Sequence, residues 1–242
     1  MPSVDVSDAA SDPMQRAEIQ IGQPLDREGE RAPHDVESAR TSRRQYIIHI
    51  AGEIFLANGY SATSMSSIAA RLGGSKGTLY NYFSSKEALF SAFLQEQLGV
   101  EERLSLSFGF CADDIELALQ EIGCRFLDLI LSERAETITR LVIAESKRFP
   151  WVGQAFYENG PLQGVQMMAR WVEAQAKSGR LRKGDAEQQA MIFLELCKSG
   201  LQQRILLNLG ARPTPAETAK SVAEATRVFL AAYGDQAVQL KS

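Results

Sequence analysis

The stretch Ser75-Lys76-Gly77-Thr78-Leu79-Tyr80-Asn81-Tyr82-Phe83-Ser84-Ser85-Lys86 packs hydroxyl, basic and aromatic side chains into about three helical turns. In a short helix, Leu79 and Phe83 fall on the inner side and the polar side chains fall on the outer side. Such a helix buries little apolar area and is poorly suited to covalent chemistry. We therefore expect the stretch to lie against DNA, with the rest of the chain regulating that contact.

A second short helix is predicted directly before this stretch. Thr63 and Ser64 are good N-cap residues, and Gly73-Gly74 ends the helix after about two turns. No Glu or Gln stands three residues after either N-cap, so we expect no capping box. Two short helices joined by a glycine-containing turn form a helix-turn-helix, whose second helix enters the major groove. We place this recognition helix at about Lys76–Tyr82.

The candidate DNA contacts fall into groups with different chemistry. Lysine and tyrosine side chains can reach phosphates, whereas Thr78 and Asn81 are the better candidates for base edges. Gly77 lets the backbone approach the duplex closely. A single aromatic residue is more often part of a core, and the combination with Lys, Gly and Thr favours the DNA interpretation. The full set is Thr63, Ser64, Ser75, Lys76, Gly77, Thr78, Tyr80, Asn81, Tyr82 and Lys86.

The distribution of charge agrees with a DNA-facing segment, although the chain as a whole carries a net charge of −4. Residues 1–40 hold nine acidic residues against four arginines. Residues 41–90 hold five basic residues against two glutamates. Because local charge rather than total charge steers a protein to phosphate, residues 41–90 are the segment expected to face DNA.

The remainder of the chain is predicted to be helical, which makes the fold all-α with nine or ten helices. Apolar residues recur at three- and four-residue steps from Thr41 onward, and Asn58-Gly59 is a helix stop. Pro150 and Pro161 suit the first turns of helices. The last two helices are predicted over residues 185–209 and 215–233.

Three regions are predicted along the chain. Residues 1–40 contain four prolines, many acids and no sustained apolar period, so we expect a disordered acidic tail. Residues 41–100 form an N-terminal helix-turn-helix domain of three helices. Residues 101–242 form a C-terminal helical domain for ligand binding and dimerisation.

Three pieces of the N-terminal region carry a family resemblance: Ile54-Phe55-Leu56-Ala57-Asn58-Gly59-Tyr60, Ile68-Ala69, and Ser75 through Leu89. Together they resemble the DNA-binding domain of TetR-family transcriptional regulators. Gly74 departs from the family pattern, in which an apolar residue is more usual. More weakly, residues 140–150 and 156–161 resemble the C-terminal domain of AefR-like members. The resemblance implies a homodimer that represses nearby genes and leaves its DNA when a small molecule binds the C-terminal domain.

The last two predicted helices are apolar over much of their circumference, which favours a homodimer. A helix of this kind needs partners on two sides, its own domain and a symmetry mate. A fully internal helix of a monomer is the alternative. A twofold dimer would match a palindromic operator in double-stranded DNA. The apolar positions are Ala190, Ile192, Phe193, Leu194, Leu196, Cys197, Leu201, Ile205, Leu206 and Leu207 on the first helix, and Ala219, Val222, Ala225, Phe229, Ala232 and Tyr233 on the second.

A small hydrophobic effector is expected in the C-terminal domain, since apolar pockets with a few polar groups suit such ligands. Arg125, Arg170 or Arg204 would be its polar anchors. The alternative is that the apolar candidates are simply core residues. These candidates are Phe126, Met167, Met168, Trp171 and Phe193.

Other functional classes find little support in the sequence. Cys111, Cys124 and Cys197 lack metal-ligand spacing, and a disulfide framework is not expected. Both histidines lie before residue 50, and no phosphate loop, nucleophile elbow or zinc-protease motif is present. We therefore expect no enzyme, metal or cofactor. No segment resembles a membrane span or a secretory signal, which predicts a cytoplasmic protein without membrane partners. A thiol-responsive regulator using Cys124 or Cys197, or a helical protein-interaction module, stays open as an alternative.

Overall fold

The computed structural model describes residues 33–98 and 114–235 of the 242-residue chain, and these residues form eleven α-helices. The described residues hold no β-strand, apart from an isolated bridge between Leu181 and Gly234. The all-α fold is therefore confirmed. The helices are α1 Pro33–Ala62, α2 Met65–Arg71, α3 Lys76–Tyr80, α4 Lys86–Leu98, α5 Ile115–Ile130, α6 Glu133–Ser146, α7 Pro150–Asn159, α8 Pro161–Lys177, α9 Ala186–Lys198, α10 Leu201–Leu206 and α11 Pro215–Tyr233.

The chain divides between Thr41 and Ser42 into two units. Of the first unit, residues 33–41 are described, and they form the beginning of α1. The helix starts at Pro33, eight residues before the apolar pattern predicted, and proline suits a first turn because its missing N–H would have no helical partner there. The rest of the predicted disordered tail, residues 1–32, lies outside the described residues.

Glycines interrupt α1 and end α2. Gly59 breaks the helical backbone of α1 with φ 82° and ψ 165°, as the Asn58-Gly59 pair predicted. Gly73, with φ 65°, ends α2. The N–H groups of Gly73 and Gly74 donate to the carbonyls of Ala70 and Ala69 at 3.2 and 3.1 Å, which is a Schellman motif.

The start of α2 corrects one expectation. Ser64 is the N-cap, and its hydroxyl accepts from the Ser67 N–H at 3.0 Å. The Ser67 hydroxyl accepts in turn from the Ser64 N–H at 3.1 Å, which completes a capping box. The prediction that no capping box exists is wrong, because a serine hydroxyl at this position reaches the backbone N–H that a glutamate would otherwise bind.

The helix predicted over residues 185–209 is two helices. Ser199 and Gly200 both adopt left-handed backbone angles, with φ 35° and 83°, so α9 ends at Lys198 and α10 begins at Leu201. The glycine is the sequence signal for this break, since a left-handed residue commonly ends a helix.

Two apolar clusters hold the second unit together. The N-terminal core combines residues of α1 to α4 with Ile138 and Val142 of α6 and Val152 of α7. The C-terminal core is built mainly from α5, α8, α9 and α11. In this core α5 and α11 approach each other closely at Gly123. A Cβ added there would come within 2.6 Å of the Val222 side chain. None of the helices in the described ranges has the length and apolar content of a membrane span.

Candidate nucleic-acid interface and ligand cavity

The helices α2 and α3 are joined by residues 72–75 and form the predicted helix-turn-helix. Ser75 caps α3, its hydroxyl accepting from the Thr78 N–H at 3.0 Å. The recognition helix was predicted to reach Tyr82 but ends at Tyr80, with Asn81 as its C-cap. The Tyr82 N–H then donates to the Leu79 carbonyl three residues back, at 3.1 Å, which is a turn and not an α-helical bond.

Leu79 and Phe83 are buried in the N-terminal core, as the helical phase predicted. Seven of the ten predicted DNA contacts are exposed to solvent. Tyr80 is 43% exposed, and the Lys76 Nζ lies 5.8 Å from the centroid of its ring, so the cation and the ring form one surface. Because Leu79 points inward, the other residues of α3 are available to a partner on the outer side. The seven are Ser64, Ser75, Lys76, Gly77, Thr78, Tyr80 and Asn81.

Two other predicted contacts are partly or fully occupied within the fold. Thr63 is 3% exposed, and its hydroxyl donates to the Gly59 carbonyl at 2.8 Å. Tyr82 is half-buried against the N-terminal core. The sequence showed a hydroxyl and a ring at these positions, but not that the broken end of α1 and the apolar core take them up.

Lys86 also bonds within the fold. Its Nζ donates to the carbonyls of Tyr60 and Thr63, both at 2.8 Å, and lies 4.0 Å from the centroid of the Tyr60 ring. Burial lowers the Lys86 pKa, and the carboxylates of Glu87 and Glu145 act in the opposite direction. The ammonium thus satisfies carbonyls where α1 breaks, and one of its three N–H donors is left for the predicted phosphate contact.

Tyr60 joins the helix-turn-helix to the regulatory helices. Its ring packs edge-on against Phe90 of α4, Phe149 and Trp151 at centroid distances of 5.0 to 5.1 Å. Its hydroxyl donates to Glu87 Oε1 at 2.8 Å. Burial has the larger effect in raising the pKa of Tyr60, and this hydrogen bond has the next largest. The same bond lowers the pKa of Glu87. The end of α1 is therefore fixed from both α4 and the start of α7.

Glu145 of α6 adds a polar link to the same place. Its Oε1 accepts from the Ser61 N–H at 3.0 Å. The carboxylate approaches so closely that a Cβ at Gly59 would come within 2.7 Å of it. Contacts with α6 and α7 thus hold the connection between α1 and α2, which precedes the predicted recognition helix.

Arg44 is a further candidate contact that was not singled out from the sequence. Its guanidinium lies 5.0 Å from the centroid of the Phe83 ring, beside the turn that follows α3, and its side chain is exposed. The sequence feature that could have indicated Arg44 is its position in the basic segment, residues 41–90. A guanidinium at this edge suits a phosphate contact.

A cavity of about 330 Å³ lies among helices α4 to α10. Most of its wall is apolar. It reaches the end of α4 and the N-terminal half of α6, and the other ends of these helices carry Lys86 and Glu145, which bond the chain at the end of α1. It is lined by Gln97, Leu98, Phe126, Leu129, Ile130, Ser132, Arg134, Ala135, Ile138, Thr139, Phe156, Tyr157, Gly160, Pro161, Gly164, Val165, Met191, Leu194, Glu195, Lys198, Gln202 and Leu206.

Among the predicted ligand residues, Phe126 lines this cavity. Met167, Met168, Trp171 and Phe193 do not, and all four are buried. They lie on the core-facing sides of α8 and α9, whereas the cavity meets α8 only in its first turns.

The cavity also has different charged residues from the predicted anchors. Arg125 pairs with Glu121 at 2.7 Å, Arg204 pairs with Glu217 at 3.0 Å, and Arg170 is exposed; none of the three lines the cavity. Lys198 does line it. It follows Met191 by seven positions on α9, a spacing that places both on one helical face and was a usable signal.

The thiols of the described residues are shielded. Cys124 is half-buried, Cys197 is buried, and Cys111 lies outside the described residues. Burial raises the pKa of both thiols, that of Cys197 to about 12. Since the thiolate is the reactive form, this gives no support to a thiol-responsive regulator. Within residues 33–98 and 114–235, no group of three His, Cys, Asp or Glu residues could hold a metal ion.

Comparison with known proteins agrees with this architecture. Residues 47–93 match the family of bacterial regulatory proteins, tetR family, and residues 117–235 match the AefR-like transcriptional repressor, C-terminal domain. The chain is 47% identical over 177 residues to the HTH-type transcriptional regulator UidR of Escherichia coli, an alignment covering 69% of this chain and 76% of that protein. The chain therefore belongs to the TetR family of transcriptional regulators, which are not enzymes.

Two further relatives match different shares of the chain. The chain is 42% identical over 72 residues to the HTH-type transcriptional activator FasR of Mycolicibacterium smegmatis, and it spans 30% of that protein's length. The solved structure of the Flavonoid-responsive Regulator FrrA superposes with a TM-score of 0.71 at 30% identity. That superposition covers 81% of this chain and 99% of FrrA.

Proposed function

We propose that the protein is a cytoplasmic, homodimeric transcriptional repressor that binds a palindromic operator and is released by a small hydrophobic effector. The observation that carries the proposal is the exposed side of α3. There Lys76 and Tyr80 form one surface while Leu79 anchors the helix from behind. A basic and aromatic surface on the second helix of a helix-turn-helix suits the DNA major groove.

DNA binding is tested with the double variant Lys76→Ala/Tyr80→Ala, which alters exposed side chains and leaves the core intact. The DNA is first selected from random fragments with the wild-type protein, which also reveals any palindrome and its spacing. Binding is then measured by fluorescence anisotropy at several salt concentrations. We expect weaker binding and a salt slope reduced by about one, since one cation near phosphate is lost.

Lys177→Ala is the matched control for charge, because Lys177 is an exposed lysine at the end of α8 in a long 3.9 Å pair with Glu173. It should leave the affinity and the salt slope unchanged. Equal affinity of the double variant and the wild type would refute the DNA-binding role of α3.

Dimerisation through the last helices is supported by apolar residues that the fold leaves exposed. The inward apolar positions of α9 to α11, such as Phe193, Ile205 and Phe229, are buried in the C-terminal core. Leu207, directly after α10, is 67% exposed, and Val228 of α11 is 37% exposed. Exposed apolar side chains near the C-terminal helices suit an isologous contact with a second copy.

We expect Leu207→Glu to shift the protein from dimer to monomer in size-exclusion chromatography with light scattering. Leu117→Glu is the matched control, because Leu117 on α5 is 59% exposed and lies outside the proposed contact. A monomeric wild type would contradict the dimer. If Leu207→Glu stays dimeric, the contact lies elsewhere.

Release by an effector is supported by the cavity and by one relative. The name of FrrA states that it responds to flavonoids, and its structure resembles this chain over most of its length. The cavity wall includes Leu98 of α4 and Ile138 of α6, and both helices also contribute residues to the N-terminal core that contains the helix-turn-helix. A ligand that binds one arrangement of these helices more tightly shifts operator affinity by that difference.

A further inference from the structure

Three charged side chains line the cavity. Arg134 and Lys198 are cations, and Glu195 is the carboxylate among the lining residues. An apolar pocket with a small number of polar groups uses those groups to orient its ligand, so their sign bears on what the ligand is.

Lys198 is the cation that the cavity wall surrounds most closely. Its Nζ is 2.5 Å from Glu195 Oε1 and 6.0 Å from the centroid of the Phe126 ring. The Lys198 side chain is 26% exposed, whereas that of Glu195 is 62% exposed. The carboxylate thus approaches from the solvent side. An ammonium group has three N–H donors, and the bond to Glu195 uses one of them.

Two hydroxyls of the wall, those of Ser132 and Thr139, are already bonded to the backbone. Ser132 Oγ donates to the Leu129 carbonyl at 2.8 Å, and Thr139 Oγ1 donates to the Ala135 carbonyl at 2.7 Å. The first turns of α6 and α8 also border the cavity, and the positive ends of these helix dipoles have the same sign as the Lys198 ammonium. Lys198, with two N–H donors left after its bond to Glu195, is therefore a strong group for a polar atom of the ligand.

We infer that the effector is an amphipathic organic anion, with an apolar body in the cavity and one anionic oxygen paired with Lys198. This rests on the proposed effector role of the cavity. A neutral hydrocarbon filling the cavity would remove water from the ammonium without supplying an acceptor, which is costly. An anionic oxygen instead makes a charge-assisted hydrogen bond to Lys198.

The test compares matched probes on the full-length protein. Decanoic acid and 1-decanol share a chain length but differ in charge, and cinnamic acid and cinnamyl alcohol form a planar pair. Binding is measured by isothermal titration calorimetry at pH 7.5. At least one acid should bind wild type on the order of tenfold more tightly than its alcohol, because the charge-assisted bond is lost in the alcohol.

Lys198→Met should abolish this preference, and Lys198→Arg, which keeps the charge, should retain it. Lys177→Met is the matched control, since Lys177 lies outside the cavity lining. Circular dichroism and the Tm of each variant establish that it is folded, and Lys198→Gln takes the place of Lys198→Met if the methionine variant is unfolded. Equally tight binding of acid and alcohol in both pairs, no binding by either acid, or an acid preference that survives in Lys198→Met would overturn the inference.

Release from DNA is measured separately, on the selected operator with the same probes. An acid that binds through Lys198 without releasing DNA would support the ligand class and contradict the effector role proposed above. Release by alcohols and acids alike, independent of Lys198, would support the effector role and overturn the anion assignment.

Discussion

Lys86 stands at the start of α4, but its hydrogen bonds stabilise the end of α1. The Lys86→Met variant keeps the apolar stem and removes the two donors to the carbonyls of Tyr60 and Thr63. Because these bonds involve a partly buried charged group, we expect their removal to lower the free energy of unfolding by about 1 to 3 kcal/mol. We expect a lower Tm by circular dichroism and, as a consequence, weaker operator binding.

Lys76→Met is the comparison, because Lys76 is exposed and has its ring contact on the outer side of α3. It should weaken operator binding and leave the Tm within about a degree of wild type. If Lys86→Met instead weakened DNA binding at an unchanged Tm, Lys86 would act through phosphate and not through the fold.

Gly59 and Gly74 allow a second comparison between single residues, this time of alanine substitutions. Gly59 has φ 82°, and a Cβ there would come within 2.7 Å of Glu145 Oε1, whereas a Cβ at Gly74 would meet no atom within 4 Å. Gly59→Ala should therefore cost about 2 kcal/mol in the free energy of unfolding, and Gly74→Ala should be near neutral. Urea unfolding of both variants checks this. Equal stabilities would mean that the break in α1 needs no glycine.

The residue-scale contacts also mark a limit of prediction from sequence. Helical phase correctly predicted that Leu79 and Phe83 are buried, because local periodicity decides which side of a short helix faces inward. The partners of Lys86 lie 26 and 23 positions away along the chain, and no local pattern indicates such pairings. The same holds for Lys198 and Phe126, which meet at the cavity.

At the scale of helices, α11 depends on the capping box at its start. The Glu217 carboxylate accepts from the Thr214 N–H at 2.8 Å and from Arg204 at 3.0 Å. These bonds, the backbone bond first, lower the Glu217 pKa to about 2. A carboxyl group whose pKa is lower in the folded than in the unfolded state stabilises the fold at pH values above its unfolded-state pKa. This stabilisation is lost as the pH falls toward the folded-state pKa.

Glu217→Gln should therefore lower the Tm at neutral pH, and the difference from wild type should shrink between about pH 4.5 and pH 2. Scanning calorimetry of both proteins from pH 7 to pH 3 measures this difference. A gap that is constant over the whole range would mean that the ionised carboxylate does not stabilise α11.

The break between α9 and α10 shows why one helix boundary was missed. Cys197 and Leu201 are both buried and stand four positions apart, so the apolar spacing continues across the left-handed residues Ser199 and Gly200. Periodicity records which residues face the core and not whether the backbone between them is helical. Where a glycine or proline marks a helix boundary, as at Gly59, Pro150 and Pro161, the boundary was predicted.

At the scale of the whole molecule, the N-terminal core takes in α6 and α7 of the regulatory half. Trp151 of α7 packs edge-on against both Tyr60 and Phe90, at 5.0 and 5.8 Å. We expect Trp151→Ala to cost about 3 kcal/mol in the free energy of unfolding and to weaken operator binding, although Trp151 lies outside the helix-turn-helix. Thermal unfolding and anisotropy measure the two effects. Unchanged stability would show that the helix-turn-helix folds without α7.

The sharing of this core bears on how the protein can be re-engineered. A fragment that ended at Leu98 would lose Phe149 and Trp151, which pack against Tyr60 and Phe90. It would also lose the Glu145 carboxylate that accepts from the Ser61 N–H. Exchanging whole domains with a relative would carry the same penalty, since α6 and α7 would meet a foreign surface. A new operator preference is better sought by replacing exposed residues of α3, such as Thr78, which leaves that shared packing untouched.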